Sequence, residues 1–167
     1  MEEYESLGEC IKEVYKKASE YAIDGVKNNI GGPFGAGIIQ KINEKYRILV
    51  IERNTVIRDN DPTCHAEINA MRKACTILNN KHLDDCILVT TAKSCPMCLS
   101  AAIWANIKTI YYSEEYDSAV VAGFKDEAIE KYINKKDLSI ISEIRYRDEN
   151  TIKPFEEWDK KSDKSSY

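Results

Sequence analysis

Two short motifs carry the side chains best suited to chemistry in this sequence. One is His65-Ala66-Glu67 and the other is Cys95-Pro96-Met97-Cys98. One imidazole nitrogen and two thiolates give three ligands for Zn²⁺, and three protein ligands leave a fourth position for water, as in catalytic zinc sites. Zinc lowers the pKa of bound water to about 7, and Glu67 is placed to take the proton from this water and pass it to a substrate. The motifs therefore predict an open catalytic zinc site.

Two other interpretations of the cysteines stay open at this point. A Cys-x-x-Cys that follows a strand and opens a helix also suits a redox dithiol, although that interpretation leaves His65-Ala66-Glu67 unexplained. A structural zinc site needs a fourth ligand, for which Cys64 and His82 are the nearby candidates. Cys64 adjoins His65 and has little freedom to reach the same ion. A non-catalytic zinc protein would not need Glu67.

The elements that must position these motifs alternate between helices and strands. The predicted helices are a long first helix containing Leu7 to Val26, then Pro62–Leu78, Pro96–Ala105, Glu127–Ile133 and Pro154–Lys161. The predicted strands are 34–42, 46–56, 87–89, 109–113 and 139–146, with Asn43-Glu44-Lys45 as the turn of a hairpin. Such alternation predicts an α/β sandwich with a mixed sheet.

The start of two helices bears directly on the site. Asp61 suits the N-cap of the helix that carries His65, with Pro62 in its first turn. Cys95 and Cys98 open the next helix, where the helix N-terminus favours the thiolate form. That helix is apolar nearly all round, so we expect it to be buried on several sides.

Composition limits the class of protein further. The chain has 167 residues, 43% of them hydrophobic and 31% charged, with a formal net charge of −4. These values predict one folded domain over residues 1–167 rather than a disordered chain. We expect a cytoplasmic protein, because the sequence shows no signal peptide and no membrane span. The acidic balance argues against a nucleic-acid partner.

At this point the sequence resembles a known family. The zinc motifs are the pattern of zinc nucleobase deaminases, and they resemble the cytidine deaminase superfamily. More narrowly, the chain from Gly31 to its C-terminus resembles the bacterial guanine deaminases. Among the matching stretches are Gly31-Gly32-Pro33-Phe34-Gly35-Ala36, Asn54, Asn60-Asp61-Pro62-Thr63, Arg72-Lys73-Ala74-Cys75, Leu83-Asp84-Asp85-Cys86-Ile87-Leu88, Trp104-Ala105, Ala122-Gly123-Phe124 and Pro154-Phe155 with Trp158.

The resemblance implies a fold, an activity and an assembly. The fold is a three-layer α/β/α sandwich with a five-stranded mixed sheet. The activity is the zinc-dependent hydrolytic deamination of guanine to xanthine and ammonia, a step of purine metabolism. The assembly is a homodimer that exchanges C-terminal segments of about 150–167.

The resemblance also implies substrate contacts. Asn54 and the main chain of Ala66 would hydrogen-bond the purine, and Phe34 and Trp104 would line its faces. Two more residues would read its polar edge, namely Asp126 and the C-terminal Tyr167, the latter contributed by the partner chain. Each has a simpler interpretation as a turn, capping, core or chain-end residue.

One departure from the family pattern affects the expected substrate. Family members carry Glu-Pro directly before the first cysteine of the pair, whereas this chain has Lys93-Ser94. The zinc ligands are intact, but the charge of the loop is reversed. This change leaves a deaminase of another small aminopurine or pterin-like substrate as an alternative. A tRNA adenosine deaminase of the same superfamily is the other alternative, and the acidic balance of the chain counts against it.

Overall fold

A five-stranded mixed sheet forms the centre of the first part of the chain. The computed structural model describes residues 3–115, 126–135, 139, 141, 144–145 and 149–162. The strands are β1 (Glu3–Tyr4), β2 (Gly35–Ile42), β3 (Lys45–Arg53), β4 (Cys86–Ala92) and β5 (Ile110–Glu114), in the order β1-β3-β2-β4-β5. Only β4 and β5 pair in parallel; the other neighbours are antiparallel.

The helices follow the predicted alternation. They are α1 (Leu7–Lys27), α2 (Val56–Asp59), α3 (Ala66–Leu78), α4 (Pro96–Trp104), α5 (Asp126–Ile133) and α6 (Lys153–Lys160), the last preceded by a 3₁₀ turn at Glu149–Ile152. The chain divides into two units, Met1–Asp126 and Glu127–Tyr167. Among the described helices, none combines the length and the apolar character needed to cross a membrane.

The hairpin between β2 and β3 has the predicted turn. Asn43 and Glu44 have φ angles of 47° and 64°. Two consecutive left-handed residues are what a type I′ turn requires, and its twist matches that of the flanking strands. The hairpin places the C-terminal end of β3 and the N-terminal end of β2 at the same edge of the sheet, because Gly35 pairs with Arg53.

Helices cover both faces of this sheet in the first unit. Successive side chains of a strand point to opposite faces. Ile39 and Val89 pack with buried residues of α1, whereas Ile38 and Leu88 pack with buried residues of α3 and α4. This three-layer arrangement confirms the predicted α/β/α sandwich.

The fifth strand of the sheet is not the one that the sequence predicted. Four of the eight residues of the predicted strand at 139–146 lie outside the described residues, and the four that are described (139, 141, 144 and 145) are not in a strand. The fifth strand described is β1, which the sequence analysis did not predict and which pairs Glu3 with Arg47 and Tyr4 with Tyr46. Lys45 supports it through an ion pair of 2.7 Å with Glu5.

The helix that carries the His-x-Glu motif begins later than predicted. Its N-cap is His65, not Asp61. Asp61 instead accepts hydrogen bonds through Oδ1 from the backbone N–H and the hydroxyl of Thr63, both at 2.7 Å. Pro62 and Thr63 form a turn, in which the backbone N–H of Cys64 donates to the carbonyl of Asp61 at 3.1 Å. The carbonyl of Cys64 in turn accepts a hydrogen bond from the backbone N–H of Thr55 at 2.9 Å. The Asp61 side chain therefore stabilises a turn and not the first turn of the helix.

The expectation that α4 is buried on several sides is wrong for the described chain. Only Cys98 and Ala102 of this helix are buried. Three large apolar side chains are exposed, with exposed fractions of 46% for Leu99, 66% for Ile103 and 64% for Trp104. The helix packs on the sheet through one side, and these three apolar side chains lie on the other side.

Candidate active site

The two motifs meet because each sits at the start of a helix. His65 is the N-cap of α3 and Cys95 is the N-cap of α4, and both have extended backbone conformations. Neither side chain caps its own helix by a hydrogen bond. Pro96 stands in the first turn of α4, a position at which no intrahelical N–H bond is lost. Neither side chain is therefore used as the cap of its own helix.

The three proposed ligand atoms have the separation that zinc requires. Nδ1 of His65 lies 3.6 Å from Sγ of Cys95 and 3.6 Å from Sγ of Cys98. All three ligand atoms lie within 4.8 Å of one another. Tetrahedral zinc, with Zn–N near 2.0–2.1 Å and Zn–S near 2.3 Å, places N and S about 3.5–3.6 Å apart. The donor set and its spacing therefore fit zinc.

Electrostatics at the pair of thiols favours one thiolate even without metal. The pKa of Cys95 is lowered to about 4, chiefly because the Cys98 thiol donates a hydrogen bond to it and also because of His65. The pKa of Cys98 is raised, because it is the donor of that hydrogen bond and because it is buried near Glu67. A metal ion would replace the proton between the two sulfurs, since only deprotonated ligands bind it. By contrast, burial raises the pKa of Cys10 and Cys86 to about 11, so these thiols stay neutral.

Glu67 lies in the first turn of α3, beside the three ligands. Its exposed fraction is 5%. Burial raises the pKa of its carboxyl, and the negative charge of Cys95 adds to that effect. A carboxyl group in this environment binds a proton more readily than one in water, as a proton shuttle requires.

A cavity of about 280 Å³ opens in front of these groups. This volume is just below the range of about 300–1,000 Å³ that is usual for small-ligand sites. Its walls are mostly apolar and are formed by Gly32, Phe34, Asn54, Val56, Ile57, Pro62, His65, Glu67, Ala92, Lys93 and Cys95. The size and the few polar groups suit a flat molecule of one or two rings.

Asn54 lines this cavity, and hydrogen bonds fix the orientation of its amide group. Its Oδ1 accepts hydrogen bonds from the backbone N–H groups of Gly32 and Val56, each at 3.1 Å. If the amide were flipped, its NH₂ group would face these two N–H donors, so the two hydrogen bonds fix the orientation of the amide. No hydrogen bond from Nδ2 to a described residue is present, and this donor is free for a ligand.

Gly31 explains how the loop comes so close to Asn54. A Cβ atom at Gly31 would lie 2.2 Å from the carbonyl oxygen of Asn54 and 2.4 Å from its Oδ1. A side chain at this position would therefore displace Asn54. The requirement is for close backbone approach, which only glycine permits.

The other predicted contact residues differ in whether they line the cavity. Phe34 is half-buried and lines the cavity. Ala66 is fully buried, and as the first residue of α3 its N–H has no partner within the helix. Trp104 does not line the cavity. Asp126 is the first residue of α5, but its side chain, like all of Tyr167, lies outside the described residues. The roles of these residues stay predictions.

The sequence analysis missed the apolar wall formed by Val56 and Ile57. These residues belong to α2, a short helix that the sequence analysis does not predict and that begins at the last residue of the predicted strand 46–56. The signal for the end of the strand was Asn54, because asparagine is depleted in strands. Lys93, which was noted only as a departure from the family pattern, also lines the cavity and lies 3.7 Å from a carboxylate oxygen of Glu115.

Comparison with known proteins agrees with the fold and with the presence of a zinc-binding region. The model of the cytidine and deoxycytidylate deaminase zinc-binding region matches residues 9–114. Guanine deaminase of Bacillus subtilis is 40% identical over 153 residues, which cover 91% of this chain and 96% of that protein. Its crystal structure superposes with a TM-score of 0.83 over 93% of this chain and 98% of that chain, at 39% identity.

A more distant relative is the tRNA-specific adenosine deaminase of Rickettsia typhi. It is 34% identical over 96 residues, which cover 58% of this chain and 61% of that protein. The similarity to the Bacillus subtilis protein extends over nearly the whole chain, whereas the similarity to the tRNA deaminase does not. The comparisons thus support the leading prediction and not the tRNA alternative.

The sandwich fold and the His-Cys-Cys ligand set define a zinc-dependent hydrolytic deaminase, and the chain belongs to the cytidine and deoxycytidylate deaminase family. Within this family, it groups with the guanine deaminase of Bacillus subtilis. The predictions of the family, the fold, the enzyme class and the zinc cofactor are confirmed.

Proposed function

We propose that this protein deaminates guanine to xanthine and ammonia. The observation that carries the proposal is a small cavity with a zinc-binding set and a buried carboxyl group on one wall and the amide of Asn54 on another. The near full-length similarity to the Bacillus subtilis guanine deaminase supports guanine as the substrate.

His65, Cys95 and Cys98 would hold the metal. Bound zinc supplies a Lewis acid that lowers the pKa of a coordinated water molecule toward about 7. The chain's own contribution is to fix the three donor side chains at the starts of two helices, next to the cavity that His65 and Cys95 line. The helix N-termini stabilise the two thiolates.

Glu67 moves the protons of the reaction. The carboxylate takes one proton from the attacking water and passes it to a ring nitrogen of the purine, while the water oxygen forms a bond to the carbon that bears the amino group. The second water proton then passes through Glu67 to the amino group, the C–N bond breaks and ammonia leaves. Both protons of the water are thereby accounted for, one on the ring and one in ammonia.

Other residues orient the base. The Nδ2 group of Asn54 donates to an acceptor on the purine edge, and the backbone N–H of Ala66 supplies a second donor. Phe34 packs against a face of the ring, as aromatic side chains do in base-binding pockets. Trp104 and Asp126 complete the contacts in this proposal, on the strength of the resemblance.

The protein is proposed to act as a homodimer in the cytoplasm, with Tyr167 of each chain reaching the partner's cavity. The exposed apolar side chains of α4 support an interface, since soluble monomers rarely expose several such residues together. Six free thiols among the described residues suit a reducing compartment.

A substrate panel tests this function. Zinc-loaded protein is incubated with guanine, guanosine, cytosine and an adenosine-containing tRNA anticodon stem, and ammonia and the deaminated product are measured. We expect turnover of guanine in clear preference to the other three. Release of ammonia from the tRNA stem alone, or from none of the four, would overturn the proposal.

A further inference from the structure

We infer that Asn69 is a positioning residue that holds the base-binding turn around Asn54 against the segment that carries His65. The inference rests on the proposed function, in which Asn54 binds the purine. Asn69 is half-buried on α3, one helical turn after His65, and its backbone N–H donates to the His65 carbonyl at 2.9 Å. It does not line the cavity and would not touch the substrate.

The Nδ2 group of Asn69 reaches three acceptors. It lies 3.0 Å from the carbonyl oxygen of Arg53, 2.9 Å from Oγ1 of Thr55 and 3.4 Å from the carbonyl oxygen of Cys64. Three acceptors around one NH₂ group fix the orientation of the amide.

The positions of these acceptors give the contacts their meaning. Arg53 and Thr55 are the residues on either side of Asn54, and Cys64 directly precedes His65. One amide group therefore joins the flanks of the base-binding residue to the flank of a zinc ligand. The backbone N–H of Thr55 also joins these two segments, because it donates to the Cys64 carbonyl at 2.9 Å. That bond does not involve the Arg53 carbonyl, which the Asn69 amide binds.

The expected consequence is a loss of substrate alignment without a loss of metal. A misplacement of about 1 Å at a substrate-positioning group can cost about 100-fold in rate. We expect Asn69→Ala to lower kcat/KM by about 10- to 100-fold, mainly through a higher KM, with the zinc content unchanged. Asn69→Asp has nearly the same shape and no N–H donor, so it should lose at least as much.

A double-mutant cycle separates positioning from general stability. Asn69→Ala, Asn54→Ala and the double variant are compared in kcat/KM and in the free energy of unfolding. If Asn69 acts through Asn54, its removal should change kcat/KM by no more than about twofold once Asn54 is absent. A loss of the same size in both backgrounds would overturn the inference, as would a wild-type kcat/KM for Asn69→Asp.

A matched control lies on the same helix. Thr76 is exposed, and its hydroxyl donates to the carbonyl of Arg72 one turn earlier at 3.0 Å, within α3 itself. Thr76→Ala should leave KM, kcat and zinc content at wild-type values. Should Asn69→Ala fail to fold, Asn69→Ser serves in the same cycle, since its short hydroxyl cannot span the three acceptors.

Hydrogen–deuterium exchange tests the same inference without a substrate. In zinc-loaded Asn69→Ala, peptides that span residues 53–65 should exchange faster than in the wild type, while peptides of α1 and all peptides of Thr76→Ala should not change. Unchanged exchange at 53–65 would overturn the role of Asn69, whatever the substrate is. If the wild type fails to turn over guanine but Asn69→Ala still exchanges faster at 53–65 than the wild type, only the proposed function is overturned.

Discussion

Asn54 illustrates how a single side chain can be prepared for a ligand before the ligand arrives. Its Oδ1 accepts from two backbone donors, its Nδ2 has no hydrogen bond to a described residue, and the residue lines the cavity. The side chain can therefore offer a donor to the purine edge but not an acceptor. Guanine has a carbonyl oxygen and ring nitrogens that accept such a bond, so this preference is compatible with the proposed substrate.

The first prediction concerns this donor. Asn54→Asp keeps the oxygen that accepts from Gly32 and Val56 but replaces Nδ2 by a second oxygen. We expect kcat/KM for guanine to fall about 100-fold or more, since a site that loses its hydrogen bond to the substrate discriminates strongly. Steady-state kinetics with measurement of zinc content checks the prediction.

The matched control for that change is Asn80→Asp. Asn80 is exposed and accepts a hydrogen bond from the backbone N–H of His82 at 3.1 Å, which the new carboxylate can also accept. Its kinetics should equal those of the wild type. Equal kcat/KM values for the Asn54 and Asn80 variants would remove Asn54 from the substrate site.

At the scale of elements, the site depends on how the end of β3 is anchored to α1. Arg53, the last residue of β3, has a side chain that is 8% exposed and pairs with Asp24. Its guanidinium also donates to the carbonyl of Tyr21 at 3.2 Å and lies over the Tyr21 ring at 4.1 Å. This buried cation precedes Asn54 directly, so the ion pair supports the turn of the site.

The second prediction is that Asp24→Ala destabilises the fold by about 1–3 kcal/mol, because it leaves a buried charged donor without its anion. Denaturant unfolding measures the loss. The control is Glu13→Ala on the same helix, which removes an exposed pair with Lys17 and should cost less than about 1 kcal/mol. Equal losses in the two variants would show that burial of Arg53 does not set the strength of the pair.

The elements also show what the sequence could predict. The ligand set followed from residue type and spacing, because a His-x-Glu and a Cys-x-x-Cys that each open a helix suit one metal ion. The hairpin followed from its turn. The start of α3 did not, because Asp61 is equally suited to an N-cap and to a turn, and the backbone bond between Thr55 and Cys64 that decides between them joins residues of different elements.

On the scale of the whole molecule, the apolar residues of α4 are the feature that local patterns could not place. Its composition indicated burial, yet Ile103 and Trp104 are exposed in the described chain. Burial depends on which surface covers a helix, and a pattern within one helix does not carry that information. The proposed homodimer accounts for this exposure.

The third prediction tests that assembly by complementation. The Glu67→Gln chain and a chain lacking Tyr167 should each have little activity alone. In a mixed dimer, the cavity of the truncated chain keeps its own Glu67 and receives Tyr167 from the partner, so co-expression should restore guanine turnover. Size-exclusion chromatography should show that each variant remains a dimer.

The control for complementation is a chain that carries both changes, mixed with either single variant. In either mixture, no cavity has both its own Glu67 and a Tyr167 from the partner chain. The activity should therefore stay at the level of the single variant. Mixed dimers of the two single variants without restored activity would show that Tyr167 does not act across the interface.

The central claim is that one zinc-binding site and Glu67 together deaminate guanine. Its most direct test is to measure xanthine formation and bound zinc for the wild type and for Glu67→Gln, which has nearly the same size and cannot carry the proton. We expect xanthine and ammonia in equal amounts from the wild type, about one zinc per chain in both proteins, and a loss of turnover of at least about 100-fold in the variant. Turnover that survives in zinc-loaded Glu67→Gln would contradict the account.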